Sequence, residues 1–153
     1  MELMEDDSVK EAIAGSDYVC HLASPYYLDN QTKEELVGPC VNGTLSVMKA
    51  CSAANVKRCV TISSYAAIRW TAEEDSPKDG VYDESHWSNP ERAGGIGDYA
   101  EAKTLQEHAA WDYQKSQNNP FELVSLNPTL MLGPGITDPN VVSAELIRSI
   151  LRD

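Results

Sequence analysis

VNGTLSVMKACSAANVKRCVTISS, residues 41–64, holds a helix, its stop and a strand in direct succession. Val41, Leu45, Met48 and Cys51 or Ser52 recur at the spacing of one helical face. Pro39 suits a first helical turn, where its missing N–H costs nothing, so the helix is expected to start near it. Asn55 tolerates left-handed backbone and predicts the stop after Ala53-Ala54. Arg58-Cys59-Val60-Thr61-Ile62 is then a short, largely apolar run of strand length, which delivers Ser63-Ser64 at its carboxyl end.

The same alternation extends in both directions. Upstream, Ser8-Val9-Lys10-Glu11 reads as a capping box opening a helix that stops at Gly15. The run Tyr18 to Ala23 reads as a strand ending at Ser24-Pro25. Downstream, Asp98 and Glu101 suit the cap of a helix from about Tyr99 to Ser116. Phe121 to Leu126 reads as a further strand ending at Asn127-Pro128, and a last helix covers Val141 to Leu151. Strands alternating with helices predict an α/β fold with a parallel sheet flanked by helices and joined by right-handed crossovers. Ser24, Ser64 and Asn127-Pro128 then each fall just beyond a strand's carboxyl end, the edge where open α/β sheets bind ligands.

Composition narrows the function. The 153 residues carry 12 basic and 24 acidic side chains, a formal charge of −12. That balance argues against nucleic acid or an anionic membrane surface as partner. Acids crowd between Glu73 and Glu91, within a long polar stretch over 70–97 of the kind that shapes a site. Cys20, Cys40, Cys51 and Cys59 lack metal-ligand spacing and fall on apolar stretches, so buried thiols, no metal and a reducing, cytoplasmic setting are expected. MELMEDDS has no apolar signal core, and no run reaches membrane-spanning length.

The chemistry lies in Asp98-Tyr99-Ala100-Glu101-Ala102-Lys103. Residues i and i+4 share a helix face, so the Lys103 charge can act on the Tyr99 phenol without touching substrate. A free phenol titrates near 10, and a neighbouring cation favours its ionised form. With a serine hydroxyl, the set suits handing a proton to a carbonyl oxygen. The spacing alone is also that of an ordinary amphipathic helix. His21 reads as a core histidine, His86 and Trp87 as anchors of the acidic loop. Trp70 and Trp111 read as packing residues, and Gly94-Gly95-Ile96-Gly97 as a turn.

Six blocks in order, HLASP (21–25), VNGTLSVMKAC (41–51), KRCVTISSYAA (57–67), YDESHW (82–87), YAEAK (99–103) and LNPTLMLGP (126–134), resemble the extended short-chain dehydrogenase/reductases. The branch they resemble is that of dihydroflavonol reductase, cinnamoyl-CoA reductase and yeast-type aldehyde and ketone reductases, within the NAD-dependent epimerase/dehydratase superfamily. The resemblance implies a Rossmann-type domain and reduction of a small-molecule aldehyde or ketone with NADP or NAD, NADPH being favoured. It implies Tyr99 as catalytic acid/base, and Lys103 as the residue that binds the nicotinamide ribose and lowers the Tyr99 pKa. It implies Ser64, ahead of Ser63, as holder of the substrate oxygen. Ala23 and Ser24 would line the cofactor, and backbone groups from Pro128 to Leu130 would meet the nicotinamide. The cinnamoyl-CoA reductase stretch around the tyrosine is absent, and Arg69 stands where flavonoid reductases often place Asn, so a generic carbonyl compound is expected.

The nine glycines never take G-x-x-G-x-x-G or G-x-G-x-x-G spacing. Residues 1–153 are therefore expected to be a partial Rossmann-type domain, an internal fragment without the first strands, the Gly-rich loop and most of the substrate region. Weak cofactor binding and negligible turnover follow for the isolated chain. The alternative is a non-catalytic truncated product acting as a binding or regulatory fragment. Nothing in the pattern selects an oligomeric state.

Overall fold

The computed structural model describes residues 1–25, 32–118, 120–131, 133 and 142–152. Helix α1 (Asp6–Ile13) leads to strand β1 (Tyr18–His21), then α2 (Lys33–Ala53), β2 (Arg58–Ile62), α3 (Asp98–Ser116), β3 (Glu122–Leu126) and α4 (Val142–Arg152). The three strands form one parallel sheet in the order β1-β2-β3. The α/β class with a parallel sheet is thus observed.

Register explains the core. Val19, Cys59 and Leu123 lie in one row across the sheet. They join Val47, Met48 and Cys51 of α2, Ala110 of α3, and Val9 and Ile13 of α1 in one apolar cluster. Because side chains alternate across a strand, the next row, Cys20-Val60-Val124, points away from these helices. It is exposed at Cys20 and half-buried at Val60 and Val124. The expectation that all four thiols are buried therefore fails at Cys20, while Cys40, Cys51 and Cys59 are buried. The row after that, His21 and Thr61, returns to the helix face and is almost fully covered.

Several boundaries differ from the sequence reading. Helix α2 starts at Lys33, not near Pro39, because Thr32 and Glu35 form a capping box: Thr32 Oγ1 accepts from the Glu35 N–H at 3.3 Å, and Glu35 Oε2 from the Thr32 N–H at 2.8 Å. Pro39 lies inside the helix at the cost of one backbone bond. Helix α1 starts at Asp6 without a side-chain cap, and Ser8 Oγ instead accepts from the Glu2 N–H. Strand β1 stops at His21, two residues before Ala23. Glu101 does not cap α3 but pairs with Lys33 of α2 at 2.8 Å. The cap position is Gly97, whose φ of 82° suits glycine alone. Asn55 does take the left-handed conformation, with φ 53°. The expected start of the last helix at Val141 lies outside the described residues.

The long stretch from Trp70 to Gly97 contains one 3-10 turn, Glu73–Asp75. Ser88 ties it down: its hydroxyl donates to Ala66 O and accepts from the Trp70 N–H, while its own N–H donates to Ala67 O. Trp87 stacks on His108 of α3, with ring centroids 3.9 Å apart.

His21 joins β1 to α2 through Thr44 Oγ1, 3.0 Å from its Nε2. Burial, and then the nearby Lys103 charge, pushes its pKa down to about 4. Between that value and the ordinary 6.5 the unfolded chain binds a proton that the folded chain refuses, so the protein loses stability as pH falls through this window. His21 is expected to make unfolding easier by about 2 kcal/mol between pH 7 and pH 5. Urea titrations at both pH values on the wild type and on His21→Leu check this, the variant showing a flatter pH dependence.

Candidate active site

Past their last paired residues, β2 and β3 stay in step. The Ser63 N–H donates to Leu126 O at 2.8 Å and the Tyr65 N–H to Pro128 O at 3.0 Å. This brings Ser63-Ser64-Tyr65 against Pro128-Thr129-Leu130 at the carboxyl edge of the sheet. Helix α3 crosses the same edge, and its packing on α2 presses the Tyr99 ring against a small cluster of Leu36, Cys40 and Ala102. The result is a cleft of about 360 Å³ lined by Ser24, Ser63, Ser64, Tyr99, Lys103, Pro128 and Leu130, among others. Of the site residues read from the sequence, Ala23 alone falls elsewhere. It lines a groove along the outer side of β1, facing Met1 and Ile13.

The two serines differ. Ser64 Oγ accepts from the Ala66 N–H at 3.2 Å, capping a single 3-10 turn over Tyr65–Ala67. An oxygen that accepts there keeps its own proton for another acceptor. Ser63 Oγ is buried and has no hydrogen-bond partner among the described residues. A buried hydroxyl so placed costs on the order of 1–3 kcal/mol unless something meets it.

Lys103 is 5% exposed, and its ammonium donates to Ser24 Oγ at 3.1 Å, Gln106 Oε1 at 3.1 Å and Ile62 O at 3.4 Å. All three acceptors are uncharged, and among the described residues no carboxylate pairs with it. Burial pushes its pKa below the ordinary lysine value, opposed in part by Cys40 and Glu107.

Beneath the cleft lies a second polar chain. Asn127 Nδ2 donates to Ser64 O at 3.1 Å and to Glu107 Oε2 at 2.8 Å, while Glu107 Oε1 accepts from Trp111 Nε1 at 3.4 Å. Sequence reasoning missed Gln106 and Glu107. Both were visible as polar residues three and four positions after Lys103, the spacing that shares its helix face. Asn127 was read as a polar group at the ligand-binding edge, not as the link from Ser64 to Glu107. Among the described residues no three His, Cys, Asp or Glu side chains group as metal ligands, and no helix is long and apolar enough to cross a membrane.

A wider hollow of about 480 Å³ adjoins the cleft, sharing Tyr65 and Tyr99 with it and walled by Trp70 and Gly97. Arg69 lies over the Trp70 ring, its Cζ 4.6 Å from the centroid, so Trp70 is a cation–π partner as well as a packing residue.

The family model described as NAD dependent epimerase/dehydratase matches residues 1–153. Dihydroflavonol 4-reductase of Arabidopsis thaliana is 36% identical over 153 residues, which cover 94% of this chain and 38% of that protein. Tetraketide alpha-pyrone reductase 2 of Arabidopsis thaliana is 39% identical over 140 residues, 87% of this chain and 42% of that one. Among solved structures, yeast methylglyoxal/isovaleraldehyde reductase Gre2 complexed with NADPH superposes with a TM-score of 0.78 at 25% identity, covering 99% of this chain and 49% of that one. The chain thus spans less than half the length of each of these relatives.

Asn127 bridges the carboxylate of α3 to the backbone of Ser64. Asn127→Leu leaves a buried carboxylate short of its donor and is expected to destabilise the chain by about 2 kcal/mol. Urea unfolding followed by tryptophan emission checks this.

Proposed function

The chain belongs to the NAD dependent epimerase/dehydratase family, and on that premise we propose that it carries the proton-handling centre of an NAD(P)H-dependent oxidoreductase that reduces an aldehyde or ketone. One observation carries the reading: Ser64, Tyr99 and Lys103 line a single cleft at the carboxyl edge of a parallel sheet. The reductases among its relatives support the reductive direction.

Part of the cleft suits a nicotinamide riboside. The buried, unpartnered Ser63 hydroxyl and the Ser24–Lys103 pair offer polar groups for a ribose and a carboxamide. The pyrophosphate half fits less well, since no strand among the described residues is followed by a Gly-rich turn at a helix N-terminus. When bound, the reduced nicotinamide supplies the hydride for the carbonyl carbon.

The side chains then divide the remaining work. Ser64 donates its free proton in a hydrogen bond to the carbonyl oxygen and fixes its position. Tyr99 transfers its phenolic proton to that oxygen as the carbon is reduced, leaving an alcohol and a phenolate. Lys103, one helical turn on, favours that phenolate electrostatically and so brings Tyr99 closer to use at neutral pH. Its burial strengthens the effect, because a charge in low dielectric is felt further.

In a polypeptide that also supplies a pyrophosphate cradle, Tyr99→Phe is expected to lower kcat for carbonyl reduction at least 100-fold while leaving NADPH affinity within about twofold. Steady-state kinetics with fluorescence titration of NADPH checks both, and substantial remaining turnover would refute the role of Tyr99. The 153 residues by themselves are expected to bind NADPH weakly, with no saturation in a tryptophan-fluorescence titration at micromolar cofactor. Tight binding without turnover would instead favour a non-catalytic binding fragment.

A further inference from the structure

We propose that Gln106 is a positioning residue for Lys103: its buried carboxamide oxygen anchors the ammonium at the cleft wall, while Ser24 is the acceptor that a ligand hydroxyl can replace. The inference deepens the Ser64–Tyr99–Lys103 reading and takes its catalytic meaning from it, but its test does not use turnover.

An ammonium has three protons and no lone pair. Lys103 meets three acceptors, one each from β2, from the segment after β1, and from its own helix. They are not equivalent. Ser24 is half-buried and lines the cleft, so a hydroxyl entering there competes directly for its proton. Ile62 O belongs to the sheet backbone and is the most distant of the three. Gln106 is 2% exposed and sits behind the cleft. Its orientation is fixed by chemistry: both neighbours, Lys103 Nζ and Ser24 Oγ, donate to it, so the oxygen and not the amide nitrogen faces them. Lys103, Ser24 and Gln106 form a closed triangle of hydrogen bonds. Opening it at Ser24 leaves the bond to Gln106 intact.

Among the described residues the titratable groups around Lys103 are few. Cys40 faces it from α2 and His21 from β1, while Tyr99 and Glu107 share its helix. From β2 it meets only the Ile62 carbonyl. His21 is neutral above about pH 4, and Glu107 already accepts from Asn127 and Trp111. Burial works against the charged amine, and Gln106 Oε1 is a neutral acceptor that works for it without adding charge of its own.

The test is the pH dependence of Lys103 acylation by a trace of acetic anhydride, read peptide by peptide by mass spectrometry on the whole chain. Exposed Lys10 and Lys57 serve as internal standards. Gln106→Met keeps the length but removes the acceptor, and Gln106→Glu adds a charge to it. The expected result is a Lys103 midpoint about one unit lower in Gln106→Met, roughly tenfold more free amine at a given pH, and at least as large a rise in Gln106→Glu. A glutamine that serves packing alone would leave the Lys103 midpoint unchanged in Gln106→Met, whereas a carboxylate at 106 raises it in either case. Midpoints that stay at the wild-type value, or that shift in the same direction, overturn the proposal. If Gln106→Met does not fold by circular dichroism, the absence of an upward shift in Gln106→Glu still overturns the proposal. Failure of the anchor is distinct from failure of the catalytic reading: the first shows in Lys103 titration, the second in the turnover of Tyr99→Phe.

Discussion

A lysine ammonium buried among three neutral acceptors is the constraint around which this site is arranged. Taking such a charge out of water is costly, and uncharged hydrogen-bond partners recover only part of that cost. The chain meets it by bringing a serine hydroxyl, a strand-end carbonyl and a carboxamide to one point. Each of these comes from a different element, so the position of Lys103 depends on the sheet register and on the packing of α3 at once. A counter-ion would have offset more of that cost, yet among the described residues no carboxylate pairs with Lys103.

The sheet supplies the accuracy this demands. Parallel register places Cys59 beside both Val19 and Leu123, and the same register continues past the strands through Ser63 to Leu126 and Tyr65 to Pro128. Backbone hydrogen bonds thus hold the cleft floor. Asn127 adds a link in the other direction, from Ser64 O to Glu107 on α3. Tyr99 is set by apolar packing against Leu36 and Cys40. Floor and helix are therefore tied through two polar links, Lys103 to Ile62 O and Glu107 through Asn127 to Ser64 O.

Much of this was legible in the residues. The β-branched runs, the turn at Asn55 and the order of elements gave the α/β class, since hydrophobic period and strand length survive without tertiary context. Pro39 misled because its local preference for a first turn was outweighed by a reciprocal cap between Thr32 and Glu35, seven and four residues earlier. Cys20 misled because a thiol on an apolar stretch was taken as buried, whereas its row faces away from α2 and α3. Ala23 was placed with Ser24 by the family resemblance, but beyond the end of β1 the two line different hollows, Ser24 the cleft and Ala23 the groove beside Cys20 and His21. Gln106 escaped because a glutamine inside a helix is ordinarily solvent-facing, and only its three-residue offset from Lys103 hinted otherwise.

The distribution of charge completes the picture. The acids between Glu73 and Glu91 sit mostly in the stretch that Ser88 stitches to the segment after β2, outside the cleft lining. Within the cleft wall the buried charge is Lys103, while His21 behind it is kept neutral at physiological pH. An excess of surface carboxylates at such distances is screened by salt, whereas a buried ammonium a helical turn from a phenol is not. A chain with formal charge −12 therefore still places a positive charge in the wall of its cleft. Local dielectric, more than net charge, sets the electrostatics of this cleft wall.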